Sequence, residues 1–68
     1  MVEEEFGRIQ KSKNVEIVVK RDDYGGKPSI SIREYVKSQN FTGFTKNGTR
    51  IPLEKWNEFR ELINKVKV

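Results

Sequence analysis

Sixty-eight residues make at most one small domain, and a chain this short buries only about 60% of the surface it would expose unfolded, so its core is marginal. It has no cysteine and no histidine, which removes disulfide staples, the common zinc ligands, the thiol nucleophile and the usual general base. The net charge is +4, and the excess sits in residues 6–51, where ten Lys/Arg stand against Glu16, Asp22, Asp23 and Glu34. A basic segment of this kind suits a polyanion, although the same charge is ordinary for solubility.

Met1 to Glu5 is acidic and is expected to be disordered, within a single domain spanning 1–68. Phe6 to Gln10 is a candidate first strand, and Lys11-Ser12-Lys13-Asn14 reads as a turn. From Val15 the residues alternate, with Val15, Ile17 and Val19 expected inward and Glu16, Val18 and Lys20 on a mostly wet face. Asp22-Asp23-Tyr24-Gly25-Gly26 is the strongest turn signal, because glycine takes positive φ at no steric cost. Pro28 suits a strand start or an edge.

Ser29 to Lys37 forms the third strand, with Ile30 and Ile32 on one face and Ser31, Arg33 and Tyr35 on the other. After the Ser38-Gln39-Asn40 loop, Thr42 to Ile51 is the fourth strand, expected to break or bulge near Asn47-Gly48. Pro52 then opens a helix whose apolar positions Leu53, Trp56, Phe59, Leu62, Ile63 and Val66 fall three and four apart. The expected fold is α+β: a four-stranded antiparallel meander followed by one C-terminal helix (ββββα). Such a helix must cover its own sheet or a partner's helix. With disulfides and zinc excluded, self-association is the remaining support for so small a core, and a homodimer is expected.

No apolar run approaches the roughly 20 residues that span a bilayer, and the N-terminus is acidic where a signal peptide is basic. A soluble, intracellular protein is expected, with no membrane partner. Catalysis is disfavoured: Asp22 and Asp23 read as exposed turn residues, and Gly25-Gly26-Lys27-Pro28-Ser29 is too short for a phosphate-cradling loop. No enzyme activity, cofactor or metal site is expected.

Binding of unpaired nucleic acid needs cations that follow a backbone and flat side chains on which bases stack. The candidate cations are Lys11 and Lys13 in the first turn, Lys20 and Arg21 at the end of the second strand, Lys27 after the glycines, Arg33 in the third strand, and Lys46 and Arg50 in the last hairpin. Tyr24 is the candidate stacking residue; of Phe41 and Phe44 one is expected to pack inward and the other to stay exposed, and Phe44 is counted among the nucleic-acid contacts. Trp56, Phe59 and Ile63 lie on the helix stripe and read as core or dimer contacts.

The run Ser31-Ile32-Arg33-Glu34-Tyr35-Val36 and the run Lys46-Asn47-Gly48-Thr49-Arg50-Ile51-Pro52-Leu53-Glu54-Lys55-Trp56 resemble the positive cofactor four family. This is the transcriptional coactivator family whose C-terminal domain binds single-stranded DNA. The resemblance implies a strongly curved sheet, dimerisation partly through the helices, and channels for two single strands or a melted duplex, bound largely without regard to sequence. Carried over by position, it implies nucleic-acid contacts from Lys11, Lys13, Tyr24, Lys27, Arg33 and Lys46, and a structural role for Trp56. The family's frequent tryptophan after Arg-Glu-Tyr is Val36 here, and Asn47 replaces a lysine. The eukaryotic coactivator's serine-rich regulatory tail is not found, implying a bacterial, archaeal or phage relative.

The expected function is therefore sequence-independent single-stranded DNA binding in transcription, replication or repair, with RNA and transcription machinery as further expected partners. The expected setting is the cytoplasm or nucleoid of a prokaryote, or a eukaryotic nucleus. The alternative is an adaptor whose basic sheet meets an acidic transcription partner.

Overall fold

The computed structural model describes residues 3–23 and 26–68. Strands β1 (Glu3–Ser12), β2 (Val15–Asp22), β3 (Ser29–Lys37) and β4 (Thr42–Pro52) form one antiparallel sheet in the order β1-β2-β3-β4, and helix α1 (Leu53–Asn64) follows. This is the ββββα arrangement expected from the hydrophobic periodicity. Among the described residues no helix is long and apolar enough to cross a membrane.

β1 begins earlier than expected. Glu3, Glu4 and Glu5 pair with Asp22, Arg21 and Lys20, so an acidic segment expected to be disordered is strand. The reason is electrostatic, since Lys20 binds Glu3 and Arg8 binds Glu5. β1 is bulged twice, with Phe6 and Lys11 as the extra residues. Each bulge bends the strand and resets which side chains share a face.

Pairing sorts the sheet into two faces. One carries Glu16, Val18, Lys20 and Asp22 of β2, opposite Tyr35, Arg33, Ser31 and Ser29 of β3. The other carries Val15, Ile17 and Val19 opposite Val36, Glu34 and Ile32, with Ile30 and Ile51 alongside. α1 packs on this second, apolar face, where Trp56 meets Phe6, Val19 and Ile30 around a small apolar pocket.

The expectation that Val18 lies on a wet face is overturned. Val18 is 1% exposed and Ser31 1%, while Val15, Ile17 and Val19 are only half-buried. Among the described residues no helix packs on the polar face, and its own long side chains shelter it. The Lys20 ammonium reaches 4.3 Å from the Phe44 ring, two strands away, so the sheet curls inward on that side. Alternation identifies which residues share a face, but curvature decides which face is sheltered.

The anticipated irregularity in β4 is present. Arg33 pairs with Gly48 and Tyr35 with Phe44, leaving Thr45, Lys46 and Asn47 opposite Glu34 alone. The Thr45 hydroxyl donates to the Glu34 carbonyl at 3.2 Å and accepts from the Asn47 amide at 3.1 Å, which holds the bulge in shape. Gly48 sits at φ 133°, and a Cβ there would lie 2.1 Å from the Ile32 carbonyl oxygen, so only glycine fits.

Pro52 precedes the first helical residue, and the Leu53 amide donates to the Pro28 carbonyl at 3.3 Å, tying the helix start to the start of β3. Trp56 and Phe59 are half-buried with ring centroids 5.8 Å apart. Leu62 and Ile63, by contrast, are 61% and 48% exposed. Ile63 is therefore outside this chain's own core, and Val66 lies beyond the helix end.

Candidate nucleic-acid interface

The polar face is built from β1–β4 by register alone. Arg33 lies on it between Ser31 and Tyr35, opposite Val18 on β2 and Gly48 on β4. Because its β4 partner is glycine, no β4 side chain stands directly opposite Arg33. Among the described residues Arg33 has no carboxylate within ion-pairing distance, although it is half-buried. A partly desolvated cation without an internal anion attracts a ligand anion strongly, because solvent screens it less.

Beside it stands an aromatic pair. Tyr35 and Phe44 meet edge to face with centroids 4.9 Å apart, and Phe44 keeps 40% of its surface exposed. Phe44 is therefore the stacking candidate that shares the Arg33 face. Phe41 lies in the loop before β4, half exposed, with its ring against Gly43. Val36 points to the opposite face, paired with Val15 and Gly43.

The remaining candidates divide. Lys13 and Lys37 line one cleft with Asn14, Ser38, Gln39 and Thr42 at one end of the sheet. Lys27 lies at the other end with Pro28, Pro52, Leu53 and Glu54. Nine residues of β3 separate the two ends, about 26 Å at the rise of a strand. Lys46 is exposed in the middle of the β4 bulge. Lys13, Lys27 and Lys46 have no ion-pair partner among the described residues. Tyr24 lies outside the described residues.

Three expected cations are otherwise engaged. The Lys11 ammonium binds the Glu34 carboxylate at 2.9 Å, and Glu34 belongs to the apolar face, so Lys11 does not join Arg33. Its position as a bulged residue explains this, since a bulge lifts it out of the regular alternation. Lys20 is buried, bound to Glu3 at 2.7 Å and lying over Phe44. Arg50 is half-buried and bonded to Asp22, which is 2% exposed. Asp22 was expected to be an exposed turn carboxylate; it is instead a sheltered partner of Arg50. Arg21 alternates to the face opposite Lys20.

Sequence reasoning missed Arg8. Its guanidinium lies 4.9 Å from the centre of the Tyr35 ring and binds Glu5 at 2.8 Å and Glu16 at 3.1 Å. Regular alternation would put Glu5 and Arg8 on opposite faces; the Phe6 bulge puts them on the same one. These hydrogen bonds raise the Arg8 pKa and hold the Glu5 carboxyl below its ordinary range. Lys37, 3.7 Å from Glu16 and largely exposed, was also overlooked.

Among the described residues the polar face thus presents a half-buried cation without an ion-pair partner, the 40%-exposed Phe44 on the same face, and exposed lysines at the end of the sheet where Lys13 and Lys37 lie. Such a surface can take an extended polyanion with flat, stackable groups. No curated protein and no solved structure shows significant similarity to the chain. A protein-family comparison matches residues 9–62 to Transcriptional Coactivator p15 (PC4), a span that takes in β2, β3, β4 and nearly all of α1. The chain therefore belongs to the transcriptional coactivator p15 (PC4) family of DNA-binding proteins.

Proposed function

We propose that this chain is a homodimeric, sequence-independent single-stranded DNA-binding protein that acts in transcription in the manner of a coactivator, or in replication or repair, wherever the cell keeps its DNA. It is a binding protein and not an enzyme. The observation that carries this reading is the position of Arg33, half-buried without an ion-pair partner among the described residues, on the same face as the partly exposed ring of Phe44. Phosphate meets the guanidinium and a base lies on the ring. No base-reading helix is involved, because the stripe of α1 is apolar and its first turns are engaged with the sheet.

The proposed dimer is supported by what the single chain leaves uncovered. Val18, Ile30 and Ile51 are its only buried apolar residues among those described, whereas Leu62 and Ile63 face solvent on the helix and Phe6 and Ile9 on β1. A second copy placed against the helix stripe would bury these residues and leave the polar faces open.

The test is affinity for one labelled oligonucleotide, single-stranded and duplex, across a salt series, with mass by light scattering. Preference for the single strand is expected, with a slope of log affinity against log salt of about −3 for roughly four phosphates neutralised. Equal weak binding to both forms, or to neither, leaves the acidic-partner adaptor as the better reading.

A further inference from the structure

The polar face contains more cations than it offers, and the acids that occupy two of them come from the first three described residues. Glu3 binds Lys20 at 2.7 Å, and Glu5 takes two hydrogen bonds from Arg8, at 2.8 and 3.0 Å. Both cations lie on the face of Arg33, and both touch its aromatic pair: Lys20 lies over Phe44 and Arg8 over Tyr35. Glu4, between the two acids, alternates to the other face opposite Arg21.

We propose that the acidic end of β1 is a built-in competitor for the phosphate backbone. Glu3 holds Lys20, and Glu5 takes two of the hydrogen bonds of Arg8, which Glu16 also holds at 3.1 Å; a bound strand gains Lys20 by displacing Glu3, and the Glu5-facing side of Arg8 by displacing Glu5. This rests on the reading of the polar face as the single-strand surface, and it adds residues that set affinity and salt dependence.

Lys20's side chain is only 11% exposed, so without Glu3 its charge would be desolvated and unmatched; a phosphate oxygen is the natural replacement. Glu3 and Glu5 are themselves 44% and 41% exposed, so released carboxylates regain water easily. They also sit at the end of an edge strand, paired to a neighbour on one side only, where local opening costs least. The arrangement lets a strand with many phosphates displace the acids together, whereas a single phosphate competes with a carboxylate already in place.

The experiment compares Glu3→Gln, Glu5→Gln and Glu4→Gln in the full chain, measuring anisotropy of a labelled oligo-dT at several salt concentrations. Each variant raises the net charge by one, so general electrostatics predicts equal gains. The competitor account expects Glu3→Gln or Glu5→Gln to tighten binding roughly fivefold, and Glu4→Gln less than twofold. The salt slope should steepen by about 0.7 for each cation recruited. Adding Lys20→Ala to Glu3→Gln should erase the gain. Circular dichroism checks the fold, and the exposed Glu5 keeps the test valid where Glu3→Gln fails to fold. Equal effects of the three variants, or weaker binding by Glu3→Gln and Glu5→Gln, overturn this inference alone. Failure of the unaltered chain to bind oligo-dT overturns this inference and the proposed function together.

Discussion

The two faces of this sheet solve opposite problems with the same strands. On the polar face, long charged side chains from β1, β2 and β4 fold over Val18 and Ser31 and neutralise one another, so that the sheet shelters a core without any element on top. On the apolar face, Val15, Ile17, Val19 and Ile32 stay half-exposed although a helix lies against them. Burial here is not a guide to hydrophobicity. The charged face is complete within one chain, and the apolar face is the unfinished one.

Gly48→Ala should have the largest effect. It would force a Cβ into the Ile32 carbonyl at a backbone conformation that alanine rarely adopts, costing about 3 kcal/mol or more in chemical denaturation. A stable, binding-competent variant would show that the close approach behind Arg33 is dispensable. Next, Leu62→Glu together with Ile63→Glu should weaken self-association roughly a hundredfold or more, because the new charges would be buried without partners. Light scattering should then report the single-chain mass in place of the proposed dimer's, and an unchanged mass would contradict the helix stripe as the proposed contact between copies. Phe44→Ala should lower affinity for oligo-dT by about 1–3 kcal/mol through lost stacking, with the apolar face unaffected.

The smallest effect is that of pH on the Arg8 cluster. Hydrogen bonds from Arg8 hold the Glu5 carboxyl below its ordinary value of 4.5. The folded state thus prefers ionised Glu5, and its contribution is present above that value and fades as pH falls through the lowered one. Glu5→Gln should make unfolding slightly less sensitive to acid below about pH 4.5, as followed by circular dichroism. An unchanged acid transition would mean that the Arg8 contact is too solvated to matter.

Much of the fold was legible in the residues. The alternation in β3 and the apolar steps of α1 located both elements, and Asn47-Gly48 marked the β4 irregularity. The faces were harder to read, because three bulges intervene. Phe6 as an extra residue brings Glu5 onto the face of Arg8, Lys11 as an extra residue sends that lysine to Glu34, and Thr45–Asn47 lengthen β4 opposite Glu34. No local pattern announces the first two. Ion pairing was equally hidden, since Lys20 meets Glu3 and Arg50 meets Asp22 across strands distant in sequence. Arg33 was legible for the opposite reason: regular pairing with β2 keeps it on the face that alternation assigned.

The most direct test sets one arginine of each face against the other. Arg33→Ala and Arg21→Ala remove the same charge from the polar and the apolar face, and affinity for single-stranded oligo-dT is measured for both. Loss of the half-buried cation should weaken binding about tenfold or more, whereas loss of Arg21 should change it less than twofold. Equal losses, or a larger loss from Arg21→Ala, would contradict the assignment of the polar face as the surface that receives unpaired DNA.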